Sequence, residues 1–347
     1  MKKNLIYLLV FLILLGVAGW LISNRSTNST LEGEANYSFS VPDTAALEKI
    51  VIQSKDPHKA VLERRSSGWM VNGDYPVREE ALQTLLETLH DMELRRFLPQ
   101  RLHESVMKNM MVYGKKVELY KGDEPYRTFY VGTSTPDQLG TYMMMKNGDA
   151  PYAVHIKGFN GFLETRFIAE PHLWRKREIF TIDPSVVKEI RMTYPDSLEA
   201  SFQLRMFSSD SMYFRRASDE KVLTEVNKTR ARLFKAALRD LSYESLILPD
   251  EPAYELRDSL QSTPPLFRLT LKDTRGNTQE LSGYRIQGEE GTVDPERPQT
   301  KYDPDRMHGF INGKEMVLLQ YYGLRNVLRP LDYFRNDPSS EEGSREP

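Results

Sequence analysis

Three of the chain's four Asn-Gly pairs, Asn72-Gly73, Asn147-Gly148 and Asn312-Gly313, stand between runs of alternating apolar residues. Such a pair suits the two-residue turn of a β-hairpin, because both turn positions there take positive φ. Consecutive hairpins pair chain neighbours antiparallel, so this punctuation constrains the fold more than any other feature. At the first site Trp69 and Val71 alternate on the incoming strand, and Pro76 then restricts the chain. A helix is predicted from about Arg78, with Glu79 and Glu80 in the first turn, where the macrodipole favours negative charge. The stretch SSGWMVNGDYPVREEALQTLLETL therefore reads as a hairpin feeding a helix, in preference to an aromatic platform backed by paired carboxylates.

The order of elements repeats. In the first half LEKIVI and AVLERRSSGWMV read as strands, and Leu82, Leu85, Leu86 and Leu89 mark one helix face. Two strand-like pieces, KVELYKG and RTFYVG, follow, then the hairpin about Asn147-Gly148 and a closing helical GFNGFLETRF. The second half replays this with VKEIRM, MYFRRASDEKVL, a helix through Phe234, Ala237, Leu238 and Leu241, LFRLTLKD, TQELSGY, GFINGKEMVLL and a closing YYGLRNVLRPL. The expected fold class is α+β: an N-terminal transmembrane helix followed by two similar repeats, each an antiparallel sheet with a helix packed on one face. The expected boundaries are an anchor at 1–24, a flexible polar tether at 25–44, repeats at 45–170 and 171–335, and a disordered tail at 336–347.

The anchor expectation rests on Lys2 and Lys3 followed by eighteen uncharged residues from Leu5 to Ile22. As a helix they would span roughly 27 Å, close to the bilayer hydrocarbon thickness. The leading positive charge favours an N-inside orientation, which places the body on the periplasmic or outer side of the inner membrane. A cleaved signal peptide with a small-residue site at Val17-Ala18-Gly19 is the alternative. The apolar run continues through Trp20, Leu21 and Ile22, which favours the uncleaved anchor.

Charged residues at 28% and hydrophobic residues at 39% fit a globular body, and a formal net charge of -2 gives no concentrated basic face for nucleic acid. The absence of cysteine excludes disulfides, thiolate metal sites and a cysteine nucleophile. The sequence contains no Walker loop, no G-x-S-x-G elbow and no H-E-x-x-H, and none of its six histidines stands three or four residues from another. Asp303, Asp305 and His308 bring cation donors close together, but without the glycine and terminal Glu of a calcium loop they read as turn formers. Met143, Met144 and Met145 read as strand packing. The junction EPHLWRKREIF offers Trp174, Arg175, Lys176 and Arg177 as a candidate partner or anion surface, because Trp and Arg are enriched at interaction hot spots. The plainer reading packs Trp174 and leaves the charges solvated.

The residues Leu47 to Ile52, Trp69-Met70-Val71, Val131-Gly132, Gly140-Thr141-Tyr142 and Trp174-Arg175-Lys176 carry a resemblance. Over most of residues 45–200 the chain resembles an uncharacterised bacterial domain family of unknown function. Members of that family have an N-terminal membrane anchor and an exported region, and many occur beside auxiliary components of a gliding-motility-type ABC transport system. The resemblance implies location, architecture and membrane transporter subunits as partners, and it transfers no catalytic residue.

The expectation is thus a membrane-tethered, exported, non-enzymatic accessory or interaction protein with no cofactor, metal, nucleic acid or small-molecule ligand. The alternatives are a ligand-binding module with its site between the two repeats, and a cell-envelope hydrolase using two carboxylates.

Overall fold

A computed structural model describes residues 37–208, 211–223, 225–288 and 301–336. The expected anchor at 1–24, most of the tether and nearly all of the C-terminal tail lie outside the described residues. The chain forms two compact units that divide between Lys176 and Arg177, six residues beyond the boundary read from the sequence.

The first unit contains β1 (Lys49–Gln53), β2 (Lys59–Arg65), β3 (Gly68–Val71), β4 (Tyr75–Pro76), β5 (Met92–Phe97), β6 (Lys115–Tyr120), β7 (Pro125–Ser134), β8 (Thr141–Met145) and β9 (Tyr152–Ile156). They form one sheet in the order β4-β3-β2-β1-β6-β7-β8-β9-β5, with every neighbouring pair antiparallel. Helix α1 (Glu79–Asp91) follows β4. It buries Leu82, Leu85 and Leu89 in a core shared with Ile50, Ile52 and Phe129 of the sheet. Helix α2 (Gln100–Tyr113) packs against β7 and buries Val106 and Met110. A Cβ at Gly132 of β7 would come within 2.6 Å of the Met110 Cγ, so the glycine permits the helix to approach that closely. Thr141 Oγ1 accepts the Leu163 amide at 2.6 Å, fixing the chain after β9.

The second unit contains β10 (Val187–Thr193), β11 (Phe202–Met206), β12 (Met212–Arg216), β13 (Val222–Leu223), β14 (Ser245–Leu246), β15 (Phe267–Asp273), β16 (Thr278–Gln287), β17 (Tyr302–Ile311) and β18 (Glu315–Gln320). Their order, β13-β12-β11-β10-β15-β16-β17-β18-β14, is that of the first sheet, element for element. Helix α3 (Lys228–Ala237) starts at Asn227, whose side-chain oxygen accepts the Arg230 amide. It buries Ala231 and Phe234 in the core below the sheet. Helix α4 (Arg257–Gln261) and the turn before it cover the other face, where Ala253, Tyr254 and Leu260 pack on Ile247, Tyr284, Phe310 and Met316. A last short helix, α5, spans Tyr321–Leu324.

The expected fold class requires correction. The described residues form mostly two nine-stranded antiparallel sheets with few helices, and no helix among them is long and apolar enough to cross a membrane. The closing segments read as helices are instead a 3₁₀ turn at Glu164–Arg166 and the four residues of α5. The second helix ends at Ala237, before Leu238 and Leu241. Strands supply the missing elements: FQLRM is β11, and the segments after the long helices return to the sheet edge as β5 and β14. Short strands carry too few residues to show a period of two, and their pairing is set by the neighbouring strand rather than by propensity.

Candidate functional site

Of the four junction residues Trp174 is buried and the three basic ones are partly exposed. Trp174 ends a 3₁₀ turn at Pro171–Trp174, is 0% exposed, and its indole N–H donates to the Ile168 carbonyl at 2.9 Å. It belongs to the first core, beside Leu163 and Phe167. Arg175 forms a β-bridge with Val77 and lays its guanidinium 3.4 Å from the Tyr75 ring centre. Lys176 donates its amide to the Pro76 carbonyl and pairs with Glu79 at 3.1 Å. Arg177 begins the second unit, where its carbonyl accepts the Tyr243 amide.

The second unit closes in the same way, which explains the junction. Phe334 ends a 3₁₀ turn at Leu331–Phe334, and Arg335 bridges Val226 as Arg175 bridges Val77. The Trp174 carbonyl accepts the Arg78 amide at 2.7 Å, and the Phe334 carbonyl accepts the Asn227 amide at 2.8 Å. Each aromatic-Arg pair therefore fastens the end of its unit to the residues that open the long helix. A sequence signal existed for this: PHLWR and PLDYFR both run from a proline to an aromatic and an arginine.

Asp303, Asp305 and His308 do not converge either. Desolvation pushes the Asp303 pKa up, but the Asp305 and Arg306 amides and the Arg306 guanidinium outweigh it and hold the carboxyl below its ordinary value. Three residues past Asp305, His308 is 5% exposed on the face of the sheet that α4 covers, opposite Tyr284 and Leu318. Among the described residues no three His, Asp or Glu side chains are grouped for a metal ion. Met143 is buried in the first core with Met145 packed against it, so these methionines fill space.

A groove of about 440 Å³ in the second unit was not singled out in the sequence. The β11–β12 hairpin, the start of β10 and the last turns of α3 enclose it. Four cations line it: Lys188, Arg232, Lys235 and Arg239. Val187, Met206, Met212 and Ala236 supply apolar walls, and the described lining residues include no carboxylate. The sequence determines this locally. Ala231, Phe234 and Leu238 turn the apolar face of α3 into the core, which leaves 232, 235 and 239 at one flank. That i, i+3, i+7 basic stripe was the legible signal.

Lys235 is partly sunk in the groove and donates to the Val187 carbonyl at 3.4 Å; burial pushes its amine pKa down. Arg239 reaches Asp183 at 3.9 Å, outside the lining, and both side chains are largely exposed. The Asp183 carboxyl is held below its ordinary value first by the Ser185 amide, in the turn that opens β10. Phe207, at the tip of the β11–β12 hairpin, is 66% exposed, with the Tyr213 ring 5.9 Å away.

These features define a two-unit antiparallel-sheet protein with a groove in its second unit that is basic and apolar together. The chain belongs to the family described as Domain of unknown function (DUF4340), whose model matches residues 69–259, more than half of its length. No curated protein and no solved structure matches it.

Proposed function

We propose that this chain is a membrane-tethered, exported accessory protein that acts by binding rather than by catalysis, stationed beside an ABC-type membrane transport system. The observation that carries this reading is the order of the chain: two lysines, eighteen uncharged residues, a polar stretch, then two sheet-rich units. An apolar segment of that length, led by positive charge, holds the body at the inner membrane and on its outer side. The transporter neighbourhood comes from the family resemblance alone.

The test is in-cell crosslinking and affinity purification of the full-length chain beside a version whose residues 1–24 are replaced by a cleavable signal. Stoichiometric recovery of transporter subunits by the anchored form is the expected result. Recovery of no membrane partner by either form would overturn the accessory role. A second reading, a ligand-binding module, is favoured by one observation, the basic and apolar groove beside α3.

A further inference from the structure

We infer that Asn160-Gly161, on the connection from β9 to Leu163, is the chain's principal site of spontaneous deamidation, a covalent modification that stands apart from either binding role. The Gly161 amide nitrogen loses its proton to base and attacks the Asn160 carboxamide carbon. The new C–N bond closes a succinimide and ammonia leaves. Water then opens the ring to aspartate or isoaspartate, with no change of oxidation state. The reaction needs an asparagine side chain free to fold back on the next residue, an amide nitrogen free to attack, and no side chain crowding that nitrogen. Glycine meets the last condition at all four Asn-Gly pairs, so local sequence ranks them alike and the folded structure separates them.

Two of the pairs are locked. Asn72 Oδ1 accepts the Val61 amide and Asn312 Oδ1 accepts the Glu280 amide, and both asparagines hold the left-handed backbone region with a glycine at positive φ behind them. Attack there requires the side chain to give up its bond and the hairpin turn to leave its conformation. Asn147 is exposed and its side chain makes no hydrogen bond among the described residues, but the Gly148 amide donates to the Met145 carbonyl at 3.0 Å, which occupies the nucleophile. Asn160 carries neither restraint. It is exposed in irregular backbone, its carboxamide makes no hydrogen bond among the described residues, and the Gly161 amide donates to none of them. The position has consequences. Leu163, three residues on, donates its amide to Thr141 and enters the first core with Phe167. Isoaspartate adds a backbone carbon and a negative charge to the segment that carries them there, and so loosens it.

The test ages the full-length chain in phosphatidylcholine nanodiscs at pH 8.5 in heavy-oxygen water, beside the same chain unfolded in guanidinium chloride. Peptide mapping by mass spectrometry reads the amide-to-acid conversion at each asparagine, and one heavy oxygen marks each event that occurred during ageing. In the folded chain Asn160 should convert about fivefold or more faster than Asn147, the factor in rate that one net hydrogen bond is worth. It should outrun Asn72 and Asn312 by about twentyfold or more, since two restraints must be released there. In guanidinium the four sites should convert at similar rates. Conversion at Asn160 should slow at pH 6.5, where fewer amides are deprotonated.

Asn160→Gln should remove the reaction at that position, because the longer side chain must close a larger ring, and should leave the other three rates unchanged. The Leu163 amide should exchange faster with solvent in the aged chain than in Asn160→Gln aged alongside it. Equal exchange in the two would overturn the loosening of the closing segment. If Asn147 converts first in the folded chain, or if Asn72 or Asn312 keeps pace with Asn160, the inference falls. The same ranking in guanidinium as in the folded chain would also overturn it, because local sequence and not the fold would then set the order.

Discussion

Asn72 and Asn312 stand at φ +49° and +51°, each followed by a glycine at positive φ. Their side chains add a second role. Asn72 Oδ1 accepts the Val61 amide and Asn312 Oδ1 accepts the Glu280 amide, both at 2.9 Å, so each turn is sewn to the next strand. Asn312→Ala loses that bond and leaves in the left-handed region a residue without asparagine's local polar compensation. The expected cost is about 2–3 kcal/mol, read from chemical denaturation. Gly283 is a different case: a Cβ there would meet the Phe267 ring at 2.3 Å and Met307 sulfur at 2.8 Å. Gly283→Ala should cost about 1–3 kcal/mol by overpacking. His308 provides a pH response. Its Nδ1 is buried without a hydrogen-bond partner, and burial pushes its pKa below the ordinary 6.5. The unfolded chain therefore binds a proton near pH 6.5 while the folded chain does not. Stability from this group is full above pH 6.5 and is lost as pH falls from there toward the lower folded value. His308→Leu should shrink the drop in urea midpoint between pH 7.5 and pH 5.5; an equal drop would remove His308 as the cause.

Elements were legible where the pattern is long and regular. Leu82, Leu85 and Leu89 located α1, and the alternation in LFRLTLKD located β15. The hairpin at Asn72-Gly73 was read from the turn residues alone, because local chemistry decides a turn. Helix α2 was not read: it buries only Val106 and Met110, too few positions for a visible period. The 3₁₀ turn at Leu331–Phe334 was not read, and that at Pro171–Trp174 was offered both as packing for Trp174 and as a partner surface; each is defined by a single buried aromatic. In the second unit Phe334 meets Phe202, Phe214 and Phe234 at ring-centre distances of 4.7–5.2 Å. Trp174→Ala and Phe334→Ala should each cost about 3–5 kcal/mol. Hydrogen exchange should show the loss at the opening of α1 for the first and of α3 for the second. Loss spread evenly through the chain would contradict the fastening role.

For the whole molecule, the proposed location depends on charge at the very start of the chain. With a periplasm-dependent reporter fused to the C-terminus, Lys2→Glu combined with Lys3→Glu should reduce the exported signal, since positive charge sets orientation. An unchanged signal would indicate that another feature directs export. The groove could not be seen in the sequence as a site, although its basic stripe on α3 could. Lys188 stands 44 residues before Arg232, and only pairing of β10 with β11 and packing of α3 on that sheet bring them to one groove. What the sequence by itself determined is local or periodic: the turns at Asn72-Gly73 and Asn312-Gly313, the strong strands, helices α1 and α3 with their leucine or phenylalanine faces, and the repetition of their order. These follow from φ preferences and from side chains three, four or two residues apart. The tertiary structure alone decided that both sheets reach nine strands, that Trp174 faces inward, and that four cations share one concavity. Each of those depends on contacts between residues far apart in the chain, where burial against a neighbour outweighs intrinsic preference.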